Sequence, residues 1–235
     1  MPGGGVAGRV GAVGEAVDRA WVGRQVVAKT ASFGGYAERV VVGAEDLVGV
    51  PDGLEPRTAA ALLHDGPTAL ELFDNADVKT GDRVLVTAAA GGLGIQLVHA
   101  AGATVIGAAR GARKLDLARE HGADVVFDGV GGEIGRAALG ITRRGGWFSA
   151  HGVPSGSFTT VSEEEAKRLG VTVRGIDQVQ FSGDKAVRLA ERALSEAAAG
   201  RLRPVVGQTF PLADAAAAHA AVESRAVLGK TLLLV

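Results

Sequence analysis

Apolar positions change rhythm along the chain. Over residues 1–55 they come in short runs broken by glycine, at Val10 to Val17, Gln25 to Lys29 and Ala37 to Val42, which predicts short strands joined by turns. Gly34-Gly35 before Tyr36 predicts a tight bend, and Pro51-Asp52-Gly53 carries turn chemistry. From Pro56 the spacing turns helical: Ala59, Ala60, Leu62, Leu63, Ala69, Leu70 and Leu72 supply apolar faces around a break expected at Gly66-Pro67. Strand-like and helix-like segments then alternate. Arg83 to Ala89, Thr104 to Ala109, Asp124 to Val130 and Trp147 to His151 read as buried strands. Leu93 to Ala101, Ala112 to His121 and Glu133 to Ile141 read as helices, the first two closing on glycine. The pieces Val171 to Ile176, Gly183 to Ala199, Val205 to Phe210, Leu212 to Glu223 and Lys230 to Val235 continue the theme. Such alternation predicts an α/β fold with a parallel sheet.

Composition narrows the partners. The 235 residues are 47% hydrophobic with a formal charge of -1, which supplies a core and no general attraction to nucleic acid or an anionic membrane. No run of about 18 apolar residues occurs, and MPGGGVAGRV lacks the regions of a signal peptide, so a soluble cytoplasmic protein is expected. The absence of cysteine removes disulfides, thiol nucleophiles and cysteine-type zinc sites. His64, His99, His121, His151 and His219 are scattered without ligand spacing, so no metal is expected. Glu163-Glu164-Glu165 follows Ser162 as S-x-x-E, a capping box at a helix start.

Val84 to Gly94, VLVTAAAGGLG, places a strand, a glycine turn and a helix in immediate succession. That order leaves backbone N–H groups and a positive helix end where a pyrophosphate can sit. The spacing is A-x-x-G-x-x-G from Ala88 through Gly91 to Gly94, not the full G-x-G-x-x-G. The second strand ends in Gly107-Ala108-Ala109-Arg110-Gly111-Ala112-Arg113-Lys114. Where an NAD-preferring site carries an acid for the ribose hydroxyl, cations stand here. Arg110 and Lys114 would attract a 2′-phosphate, which points to NADPH.

VLVTAAAGGLG, Asp65-Gly66-Pro67-Thr68-Ala69, FDGVGG (Phe127 to Gly132), GGYAE (Gly34 to Glu38) and Gly229-Lys230-Thr231 occur in this order. Together they resemble the zinc-independent quinone oxidoreductase branch of the medium-chain dehydrogenase/reductase superfamily over nearly the whole chain. The resemblance implies a partial GroES-like β domain over 1–55. It implies a Rossmann-type doubly wound parallel sheet over 56–235, NADPH-binding, with a C-terminal return toward the catalytic domain. It also implies reduction of quinones or activated double bonds, and a homodimer joined at sheet edges, with Val171 to Ile176 as the candidate edge. By the same resemblance Thr68 lies near the nicotinamide and Lys114 near the 2′-phosphate. Gly91, Gly92 and Leu93 lie at the pyrophosphate, and Gly152 and Val179-Gln180-Phe181 flank the nicotinamide. Ala90, Gly131 and Lys230 join the expected cofactor contacts.

The chain departs from that family in three respects. Pro2 to Gly8 matches a stretch that normally lies well inside the GroES-like domain, so the preceding strands and their cleft-lining asparagine and tyrosine are missing. The helix after the glycine loop is short: nine residues span about 13 Å, against about 20 Å for a six-residue strand. Gly122-Ala123-Asp124 runs straight into Val125-Val126-Phe127-Asp128 where relatives insert a strand and helix. The missing βα unit would be an outer one, sparing the central strands.

Hydride transfer needs no protein nucleophile, only orientation and a proton source. Tyr36, His64, Asp65 and His151 are the candidate donors, each with a structural reading of its own, and no single catalytic residue is assigned. Two readings stay open: an NADPH-dependent oxidoreductase acting on a quinone or activated carbon–carbon double bond, and a catalytically impaired nucleotide-binding remnant of the same family.

Overall fold

A computed structural model describes residues 2–30, 34–87, 92–108, 122–224 and 228–235. The expected helix at Ala112 to His121, and Ala90, Gly91, Arg110 and Lys114, lie outside the described residues. The chain divides into two units, Met1–Pro67 with Phe181–Val235, and Thr68–Gln180. No helix among the described residues is long and apolar enough to cross a membrane.

In the first unit β1 (Gly5–Arg9), β2 (Gln25–Lys29) and β3 (Leu47–Gly49) form an antiparallel sheet in that order. Val26, Val27 and Ala28 of β2 are buried, as a central strand requires. The strand expected at Val10 to Val17 is displaced toward the N-terminus. Pairing ends after Val10, whose N–H and C=O bond Arg24 and Gly23, and Gly11 and Gly14 then interrupt the run. Ala37 to Val42 forms no strand, and Val41 stands fully exposed with nothing to pack against.

Helix α1 (Pro56–Ala76) runs through Gly66-Pro67 without the expected break. Proline in a helix interior forfeits one hydrogen bond, a cost of about 3 kcal/mol. Buried Leu62 and Leu63 before it, and Leu70 and Leu72 after it, hold the helix on its course. A side chain at Gly66 would collide with Ala193 at 2.6 Å, so a small residue is required there.

In the second unit β4 (Arg83–Thr87), β5 (Thr104–Ala108), β6 (Ala123–Asp128), β7 (Thr142–Ala150) and β8 (Thr172–Arg174) form one sheet, ordered β5-β4-β6-β7-β8. Every neighbouring pair is parallel. Successive side chains point to opposite faces, so the continuous apolar runs feed two cores. Val84, Val125 and Phe127 face one core with Val98 of α2 (Leu93–Ala100) and Leu72 of α1. Leu85, Val126 and Phe148 face the other with Ala138 and Leu139 of α3 (Gly132–Gly140). Helices therefore cover both faces, as the doubly wound expectation requires. At the β5 edge Val105 and Ile106 are only partly buried.

The β6–β7 pairing is irregular next to Asp124. Ala123 pairs with Thr142 but Val125 pairs with Trp147, so β7 accommodates a bulge there. Asp124 ties the region together by accepting from the Arg83 amide at 2.8 Å and pairing with the Arg143 guanidinium at 3.0 Å. Downstream, α4 (Glu163–Leu169) starts with the expected cap: the Ser162 hydroxyl accepts from the Glu165 amide at 3.1 Å.

The remaining elements belong to the first unit. Amphipathic α5 (Gly183–Ala198) buries Leu189, Ala190, Ala193 and Leu194 and packs on β3. Strands β9 (Val206–Pro211) and β10 (Lys230–Leu234) pair in parallel as a separate two-stranded sheet, with α6 (Ala215–Glu223) packed on both.

Candidate functional site

Open parallel sheets present ligand sites beyond the carboxyl ends of their strands. In the second unit that edge is organised by Asp128, the last residue of β6, which is fully buried. A buried carboxylate must be hydrogen-bonded. Its Oδ1 accepts from the Thr87 hydroxyl at 3.0 Å and from the Val130 and Gly131 amides at 3.1 and 3.0 Å. Its Oδ2 accepts from the Thr159 hydroxyl at 2.7 Å. Thr87 ends β4 and itself accepts from the Gly129 amide at 2.9 Å, so adjacent strand ends share one network. The carboxylate thereby directs the path of Gly129 to Gly131 and, through Thr159, of the segment after β7.

Glycines let these strand ends approach closely. Gly131, at φ +78°, caps the N-terminus of α3, and a side chain there would collide with the Gly152 and Ser157 carbonyls. A side chain at Gly152 would collide with the Gly129 backbone. Gly92 caps α2 in the left-handed conformation at φ +68°, and Leu93 opens that helix as a buried residue. Two helices thus begin on glycine after adjacent parallel strands, each with its first amides free of side-chain caps.

Beyond the ends of β7 and β8 lies a second polar chain. The Gln178 amide donates to the Ser149 hydroxyl at 2.8 Å and to the Gly175 carbonyl at 2.7 Å, and the same hydroxyl lies 3.2 Å from His151 Nδ1. Ser149 is fully buried and His151 half-buried. Burial pushes His151 below its ordinary value of 6.5. A hydrogen bond with the Ser149 backbone and the Asp128 charge oppose this only in part, so the ring is neutral at pH 7.

The expected site residues divide between the units. Gly92, Leu93, Gly131 and Gly152 gather at the strand ends of the second unit, and Thr68 lies on α1 where that unit begins. Phe181 and Lys230 belong to the first unit. There the Lys230 ammonium bonds both oxygens of Asp65 at 2.7 Å, and both residues keep partial solvent contact. Asp65 and His64 sit on α1. His219, without a partner by sequence, has Tyr36: hydroxyl and Nε2 are 3.1 Å apart. Asp128, Thr87, Thr159, Ser149 and Gln178 escaped the sequence reading. A single acid at the end of an apolar run, in FDGVGG, was the available signal for the first of them.

Residues 102–233 match a family model described as zinc-binding dehydrogenase. Among the described residues no group of three or more His, Asp or Glu side chains is arranged to hold a metal ion. The chain is 31% identical to a quinone oxidoreductase of Pseudomonas aeruginosa, over 97% of this chain and 80% of that protein. It is 33% identical to a 2-haloacrylate reductase of a Burkholderia species, over 94% of this chain and 77% of the relative. Its fold superposes on the Escherichia coli quinone oxidoreductase complexed with NADPH with a TM-score of 0.88 at 26% identity, covering 100% of this chain and 82% of that one.

His151 sets a pH dependence. The unfolded chain binds a proton at this residue near pH 6.5 and the native state resists it, so stability falls as pH drops below that value. Urea denaturation of the wild type and His151→Gln between pH 7.5 and about 5.5 checks this. The variant is expected to lose less stability on acidification, and an equal or greater loss would contradict the assignment.

Proposed function

Because this chain belongs to the quinone oxidoreductase branch of the medium-chain dehydrogenase/reductase superfamily, we infer that it is an NADPH-dependent oxidoreductase acting on a quinone or an activated carbon–carbon double bond. The observation that carries the reading is the crowded edge organised by Asp128, where α2 starts on left-handed Gly92 with no side-chain cap and α3 starts on Gly131 at the close approach of the β6 and β7 ends. An uncapped helix start beyond a parallel strand suits a nucleotide's phosphates, which supports the reading. Bound NADPH supplies the hydride.

In this reading Ala90, Gly91, Gly92 and Leu93 bind the pyrophosphate by their backbone, with the helix start behind them favouring its negative charge. Arg110 and Lys114 pair with the 2′-phosphate. Gly131 and Gly152 let the strand ends close up beside the cofactor, while Thr68 and Phe181 border the nicotinamide in this reading. Lys230, whose ammonium bonds both oxygens of Asp65, joins the cofactor contacts in this reading. The neutral ring of His151, held by Ser149 and Gln178, presents a hydrogen-bonding nitrogen without adding charge.

Oxidation of NADPH followed at 340 nm with 9,10-phenanthrenequinone tests the activity. Turnover is expected, with NADPH preferred over NADH and the preference reduced at least about tenfold in the Arg110→Ala, Lys114→Ala double variant. Nucleotide binding without turnover would instead support a catalytically impaired remnant.

We further propose a homodimer built through β8, which ends the sheet order and has no second strand partner among the described residues. Light scattering is expected to give twice the 23.7 kDa chain mass, and a monomer at micromolar concentration would contradict it.

A further inference from the structure

Strands β4 and β6 are neighbours in the sheet, yet the chain leaves them toward opposite faces. Helix α2, which follows β4, packs with Val84 and Phe127, while α3, which follows β6, packs with Leu85 and Phe148. Such a divergence opens a crevice at the carboxyl ends of the two strands, the place where an open α/β sheet takes its ligand. Side chains span its base. The backbone ladder between β4 and β6 ends at Val86–Phe127, and one step further Thr87 stands level with Asp128. There the Thr87 hydroxyl donates to Asp128 Oδ1 at 3.0 Å and accepts from the Gly129 amide at 2.9 Å. On its other side Thr87 keeps register with Ala108 of β5.

Burial does not by itself call for a hydroxyl at this position. Thr87 is 3% exposed, and valine would fill nearly the same space. What valine cannot make is the pair of bonds across the gap. Asp128 would keep three donors without them, the Val130 and Gly131 amides and the Thr159 hydroxyl. The distinct contribution of the threonine oxygen is therefore to join the exit of β4 to the turn after β6 at the point where the two strands part. We propose that Thr87 is a positioning residue for the dinucleotide: its hydroxyl sets the spacing of the two strand ends, and so the fit of the crevice to the pyrophosphate. This rests on the reading that the chain binds NADPH with Ala90 to Leu93 at the pyrophosphate.

The test is calorimetric titration of the wild type, Thr87→Val and Thr87→Ser with NADP⁺ and with adenosine 2′-monophosphate, which carries the 2′-phosphate but no pyrophosphate. Thr87→Val is expected to weaken NADP⁺ binding at least about fivefold and to leave adenosine 2′-monophosphate within about twofold of the wild type. Thr87→Ser keeps the oxygen and is expected to stay within about twofold on both ligands. An unchanged NADP⁺ affinity, an equal loss on both ligands, or a serine variant as weak as the valine one would overturn the proposal, the equal loss marking a role in stability alone. If Thr87→Val does not fold, Thr87→Ala removes the same bonds with a smaller side chain and is read by the same outcomes. Any of these contrary results in a chain whose wild type binds NADP⁺ leaves the cofactor reading intact. A wild type that binds no NADP⁺ would defeat both.

Discussion

One buried carboxylate governs the business end of the parallel sheet. Asp128 has no solvent to hydrate it, so its stability depends on four donors: two hydroxyls and two amides drawn from three chain segments. Leaving one such donor or acceptor unsatisfied costs about 1–3 kcal/mol, so the network resists piecemeal loosening. Because both amides come from the turn into α3, the requirement to satisfy the carboxylate also dictates where that helix begins. The glycines then follow from space. With the β6 and β7 ends drawn together, Gly129, Gly131 and Gly152 approach so closely that no Cβ fits at the last two. A tightly drawn strand-end edge thus arises from a demand for polar satisfaction in the core.

Much of this architecture was legible in the sequence for simple reasons. The strands of the second unit are apolar on both faces, and runs such as Val125 to Phe127 announce burial between two layers of helices. Local chemistry was equally direct at Ser162, where S-x-x-E formed the capping interaction, and at Gly92, where a glycine after a strand capped the next helix. The βα unit absent relative to the family was placed at a sheet edge. The observed order, with β5 outermost, leaves β4, β6 and β7 intact in the middle. The chain spans about four fifths of its relatives' length.

What sequence reasoning missed depends on partners remote in the chain. A proline normally ends a helix, but Pro67 lies in a segment whose apolar side chains are buried before and after it, and that packing outweighs one lost hydrogen bond. Asp128 looks like any acid at a strand end until Thr87 and Thr159, 41 and 31 residues away, close round it. The Tyr36–His219 contact joins positions 183 residues apart, beyond any local pattern. Lys29 likewise reads as an ordinary strand-end lysine until Phe181 is set against it.

The chemistry asked of this fold is modest, since the cofactor carries the reducing equivalent and the protein orients and selects. Rigidity of the turn after β6 before any ligand arrives is therefore decisive. Amide hydrogen exchange of Val130 and Gly131 in the ligand-free protein measures this most directly. Exchange as slow as that of the β6 amides is predicted, because both N–H groups donate to a buried carboxylate. Exchange at the rate of an exposed loop would show that the Asp128 carboxylate does not hold this turn.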